Sequence, residues 1–194
     1  ALARALSMRL DAPLVRSRVS RLVYDCNRPP EAPGAMPERS EAFEVPGNRD
    51  LTAAQRAQRV RDVYQPFRDL LARMLDARGS CTVITVHSFT PVYDGVARAV
   101  ELGLLHDSDA SLAQAMLDAA PTHLGLRAAL NEPYSAADGV THTLREHATP
   151  RGLPNVMIEV RNDLLGDTPA IEKIADGLAG MIRACVPAVS EAAR

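Results

Sequence analysis

Tryptophan is absent from this 194-residue chain, and aromatic residues of any kind are few: three Phe and four Tyr. A core must therefore be assembled from Leu, Val, Ile, Ala and Met, for which a hydrophobic content of 46% provides ample material. Charge of one sign is also lacking. A formal net charge of −2 gives no broad basic field for nucleic acid or an anionic membrane surface, and neither is expected as a partner. A local basic site for a small anion stays compatible with that balance. Long apolar runs are missing: the segment 81–86 is among the longest and far too short to cross a bilayer. Residues 1–10 are amphipathic and carry Arg4 and Arg9, so no secretory leader is expected there. The three cysteines, Cys26, Cys81 and Cys185, are odd in number and form no CxxC pair. That argues against a disulfide framework and a cysteine-based zinc site, and makes a reduced, cytoplasmic setting the default expectation. GxGxxG, P-loop and GxSxG elements are absent as well, which removes the common nucleotide-binding and serine-hydrolase readings.

What is present is an alternation of helical and extended patterns. Residues 1–10 have helical apolar spacing, stopped by Asp11-Ala-Pro13. Short β-rich runs come next at 14–19 and 22–24, then an irregular stretch rich in Pro, Glu, Gly and Ser over 27–50. Thr52-Ala-Ala-Gln55 has the form of a capping box, opening a helix to about Asp76 with Gly79 closing it. The β-branched run 81–86 reads as a strand buried on both faces. Ser108 or Asp109 would cap a helix through Ala119, 124–130 reads as a strand, 139–148 as a short helix, and 154–160 as another buried strand. Thr168-Pro169 starts the last helix, with proline at its favoured first position. The alternation predicts one α/β domain over 1–194, three-layered, its mixed and mostly parallel sheet flanked by helices. The sequence opens without Met and directly on a helical pattern, so the domain's first strand and loop are expected to precede residue 1.

Three polar clusters fall where strands run into loops, the usual place for functional groups in open α/β sheets. The first is Asp25-Cys-Asn-Arg-Pro29. Asn27 and Arg28 offer an amide and a guanidinium fork suited to a carboxylate, with Asp25 orienting either; the same residues also fit an Asx turn beside an exposed arginine. The second is His87, at the end of the 81–86 strand and before Thr90-Pro91. A neutral imidazole there suits a zinc ligand, a general base or a structural hydrogen bond. The third is Glu159-Val-Arg161-Asn-Asp163, in which alternation puts 159, 161 and 163 on one face. A carboxylate in an apolar strand is either a general base or half of an ion pair with Arg161. His142 and His147 lie five apart, which misses the i, i+4 spacing of a helical zinc pair, and His106 and His123 have no distinctive context.

These clusters, in this order, resemble the N-formylglutamate amidohydrolase family. The resemblance is carried by Ser20-Arg-Leu-Val-Tyr-Asp-Cys-Asn-Arg-Pro29, Pro46-Gly-Asn48, His87-Ser-Phe-Thr-Pro-Val92, Asn131-Glu-Pro-Tyr-Ser135, His147-Ala148, Gly152-Leu-Pro154 and Ile158-Glu-Val-Arg-Asn-Asp-Leu164. It implies a phosphorylase/hydrolase-like α/β fold, shared with aspartoacylase and the zinc carboxypeptidases, and a zinc-dependent cleavage of N-formyl or N-acyl amino acids. By motif it implies His87 as a metal ligand and Glu159 as the catalytic residue that activates water and protonates the leaving amine. Asn27 and Arg28 would grip the substrate α-carboxylate, Arg161 would bind a second carboxylate or steady Glu159, and Tyr134 would line the pocket mouth. The remaining zinc ligands are expected from the segment before residue 1. After Arg98 the family usually carries an aromatic residue and a His, where this chain reads Ala99-Val-Glu101, so substrate choice is open. A non-catalytic protein of the same fold that binds an acidic amino acid is the competing expectation; the oligomeric state is not legible.

Overall fold

A computed structural model describes the backbone of residues 1–192 and the side chains of residues 1–186; the last two positions of the expected 1–194 domain lie outside them. In chain order the elements are α1 (Leu2–Leu10), β1 (Arg39–Ser40), β2 (Phe43–Glu44), α2 (Ala53–Arg59), α3 (Gln65–Arg78), β3 (Val83–Phe89), β4 (Val92–Tyr93), β5 (Val96–Ala97), β6 (Leu102–Leu105), α4 (Ser111–His123), β7 (Ala128–Leu130), β8 (Asn155–Arg161) and α5 (Thr168–Ala192). They divide into two compact units, Ala1–Leu14 with Ser80–Arg194, and Val15–Gly79.

The first unit holds a four-stranded sheet of order β3-β8-β6-β7. β3 runs parallel to β8 and β6 parallel to β7, while β6 and β8 are antiparallel. The sheet is therefore mixed and flanked by helices, as the alternating pattern predicts. On one face Val156, Ile158, Val160, Leu102 and Leu104 bury themselves against α1, α4 and α5, with Ile84 and Val86 packed at the margin. The alternate residues of β3 and β8, including His87 and Glu159, consequently face the other way. The helical turns Leu144–Ala148 pack against β8 and β3.

Four sequence expectations are corrected here. Among the described residues β3 is an edge strand, and residues 84–87 in its middle are half-buried rather than closed in on both faces. The strand β6, buried along its whole length, was not anticipated, because Gly103 interrupts its apolar run. The expected strand over 124–130 shrinks to its last three residues. The runs 14–19 and 22–24 form no strands. Ser20 accepts the Leu22 N–H on its hydroxyl and the Val23 and Tyr24 N–H groups on its carbonyl, so local bonds replace a ladder.

The Val15–Gly79 unit is built around Tyr24, Cys26, Ala35, Met36 and Tyr64. Its helix begins as predicted: Thr52 accepts from the Gln55 N–H while the Gln55 side chain returns to the Thr52 N–H. The helix runs on through a π turn at Val60–Tyr64 into α3 and ends at Gly79, φ 66°.

Candidate functional site

The register of the central sheet sets the site. His87 on β3 pairs with Glu159 on β8, and Glu159 pairs in turn with Gly103 on β6. Glu159 is 4% exposed, although it carries a carboxylate, and sits near the C-terminal end of its strand. Gly103 is required opposite it: a Cβ there would lie 2.1 Å from the Glu132 carbonyl oxygen and 3.2 Å from the Glu159 Cβ. The absent side chain lets the segment after β7 cross the strand directly beside Glu159.

That crossing segment is fixed from β6. Asn131, at φ 49°, accepts the His106 N–H on its Oδ1 and meets His106 Nε2 with its Nδ2, at 3.0 Å each. With Nε2 as acceptor, the proton sits on Nδ1 and is donated to the Asp107 carbonyl at 2.9 Å. His106, undistinguished in the sequence, thus holds Asn131 and the turn after it, which carries Tyr134.

Two residue pairs beyond His87 and Glu159, Phe89 pairs with Arg161. The Arg161 side chain is 15% exposed, and its Nε donates to Asp163 at 2.8 Å, Nη2 to Glu101 at 3.3 Å and Nη1 to the Arg98 carbonyl at 3.2 Å. The hydrogen bond from Arg161 holds the Asp163 carboxyl below its ordinary pKa. Glu101 also accepts the Arg127 N–H at 2.9 Å. Its carboxylate therefore joins β6, β7 and β8.

Arg98 lies over three rings, 4.7 Å from the centroids of Tyr93 and Tyr134 and 5.6 Å from Phe89. Its Nη1 donates to the Tyr134 hydroxyl at 3.0 Å and reaches the Thr90 carbonyl at 3.4 Å. Tyr93 is carried on the β4–β5 hairpin, whose Asp94 and Gly95 both have positive φ, as the tight two-residue turn demands. Three of the chain's seven Phe and Tyr residues are thus spent on one guanidinium.

In the Val15–Gly79 unit the loop of Asn27 and Arg28 is an Asx turn: the Asp25 carboxylate accepts the Asn27 N–H at 3.0 Å and its carbonyl the Arg28 N–H at 3.0 Å. Asp25 is 8% exposed and also takes the Arg21 guanidinium at 3.1 Å. Arg28 is half-buried, donates from Nη1 to the Asn27 carbonyl at 3.1 Å, and lies against Gly34. Asp25 therefore orders the amide and the guanidinium through their backbone, and Arg28 is less open than a plain surface arginine. His87, Glu159, Arg161 and Tyr134 all belong to the sheet-bearing unit, and Asn27 and Arg28 to this one.

Fold and site together define an α/β domain with an ordered polar site at the strand ends of a mixed sheet. Comparison with known proteins supplies the particular family. The model of the N-formylglutamate amidohydrolase family matches residues 1–165, and the chain belongs to that family, whose members hydrolyse amides. The crystal structure of a gene product from Agrobacterium tumefaciens is similar over 97% of this chain and 76% of its own, at 48% identity and a TM-score of 0.92. No curated protein matches the chain.

Proposed function

We propose that the chain hydrolyses the amide of an N-formyl or N-acyl amino acid, N-formylglutamate being the reference substrate, and that Glu159 moves the proton. The observation that carries this reading is the placement of Glu159: buried, central in the sheet, in register with His87 on one side and Gly103 on the other. As water adds to the acyl carbon, the Glu159 carboxylate takes its proton. As the C–N bond breaks, the same group delivers that proton to the nitrogen, leaving a short carboxylic acid and the free amino acid. In the Val15–Gly79 unit we assign Asn27 and Arg28 the binding of a carboxylate, ordered by Asp25.

Zinc dependence belongs to the proposal with a restriction. A catalytic zinc takes three protein ligands, and His87 would be one. Among the described residues, no three His, Cys, Asp or Glu side chains are gathered so as to hold a metal. These residues alone do not fit a complete zinc centre, and the proton path above is written through protein groups only.

Release of formate and glutamate by the full-length protein, assayed with zinc present and then with a chelator, tests both parts. Turnover that a chelator abolishes and zinc restores supports the whole reading; turnover indifferent to the chelator removes zinc from it. The carboxylate-binding residues Asn27 and Arg28, ordered by Asp25, also suit a second reading, an acidic amino-acid-binding protein without catalysis. Calorimetric binding of glutamate in chelator, with no turnover under any metal condition, would establish that alternative.

A further inference from the structure

We infer that Arg98, together with the Tyr134 hydroxyl, is the specificity-determining pair that receives a carboxylate on the substrate's side chain. The inference rests on the amidohydrolase reading above and deepens it.

Arg161 and Arg98 both stand at this end of the sheet, and their surroundings differ. Arg161 already faces two carboxylates, Glu101 and Asp163, and its third nitrogen is tied to a backbone carbonyl. Arg98 has no acidic partner among the described residues. Among the described residues it is Nη1 that donates to protein acceptors, and the Nε and Nη2 edge meets none. That edge is the one that forms paired hydrogen bonds with a carboxylate. The hydroxyl of Tyr134 accepts from Arg98, so its own proton is available to the same anion.

Position and rigidity support the assignment. Arg98 rests on Phe89, which lies two residues beyond His87 on the same face of β3, about 7 Å further along the strands. That span suits a ligand whose amide lies at the His87–Glu159 pair and whose side chain extends toward the strand ends. Stacking on three rings holds the guanidinium plane before a ligand arrives, so little rotamer freedom is lost on binding. The Tyr134 segment is pre-set by the His106–Asn131 bonds and by the close approach over Gly103. A ring cage around an arginine already paired with an acid would be a structural strap; here no described acid pairs with the guanidinium.

The test compares N-formylglutamate with N-formylglutamine, which has nearly the same shape and no side-chain charge. The full-length wild-type protein is expected to favour glutamate by roughly 30-fold or more in kcat/KM. In Arg98→Met that preference should fall at least tenfold, chiefly through KM for glutamate. Arg98→Lys, which keeps a cation on the rings, should fall between them and covers the case in which the methionine variant does not fold. Tyr134→Phe should lower the preference severalfold. A wild-type enzyme without preference overturns the inference, as does a preference that falls less than tenfold in a folded Arg98→Met variant. If the wild type cleaves neither compound, the hydrolase reading fails, and calorimetric binding of the same two compounds decides about Arg98 by the same ratio.

Discussion

Arg161 shows how a residue's chemistry is decided by its neighbours. The sequence places it on the face of Glu159, and alternation along β8 does the same in the structure, yet its guanidinium goes to Glu101 and Asp163. Glu101→Gln should weaken the Arg161 contact and the bond to the Arg127 N–H, costing about 1–2 kcal/mol in urea unfolding. Asp163 gives a pH prediction with a fixed sign. Its pKa is depressed in the folded state by Arg161, so it contributes stability above the unfolded value of about 3.9 and loses it as pH falls through the lower folded value. Asp176, held down by its hydrogen bond from Arg9, acts in the same direction between α5 and α1. Asp163→Asn and Asp176→Asn should each make acid unfolding below about pH 4 less steep, measured by thermal melts across pH. Unchanged melts would show that these pairs contribute nothing.

At the scale of elements, glycines set the close approaches that the pattern of apolar residues cannot report. Gly103→Ala puts a methyl 2.1 Å from a backbone oxygen that the His106–Asn131 bonds hold in place. A loss of about 3 kcal/mol or more is expected in denaturant unfolding, with weaker turnover in whatever protein folds. Gly177 and Gly180 on α5 do the same against α4: a Cβ at 177 would meet the His123 carbonyl at 2.8 Å, and one at 180 the His123 ring at 2.9 Å. Gly177→Ala should therefore destabilise the α4–α5 contact although alanine favours a helix. Periodicity and turn chemistry made α1, the capped helix at Thr52, β8 and the start of α5 legible from sequence. β6 was hidden because one glycine dilutes the β signal of a strand whose importance lies in what crosses it. The β-rich letters of 14–24 misled because Ser17 and Ser20 satisfy the backbone locally, a competition that composition does not display.

For the molecule as a whole, the ordered motifs were enough to read the family, and the family model and the Agrobacterium tumefaciens structure bear that out. The site was legible in part. His87 and Glu159 emerge from strand ends and alternation, and the register puts them side by side. Arg98 and His106 were passed over because their meaning lies in rings and amides brought from distant sequence, Tyr134 and Asn131 above all. The account's central claim is that this chain is an amide hydrolase in which Glu159 carries the proton. Its most direct test is release of glutamate from N-formylglutamate by the full-length protein and by Glu159→Gln, which keeps the shape of the side chain and removes its basicity. The account predicts turnover by the wild type and a fall in kcat of roughly 10²–10⁴ in the variant, with substrate binding and melting temperature little changed. A folded Glu159→Gln protein that turns over at the wild-type rate, or a wild type inert toward every N-acyl amino acid, would contradict it.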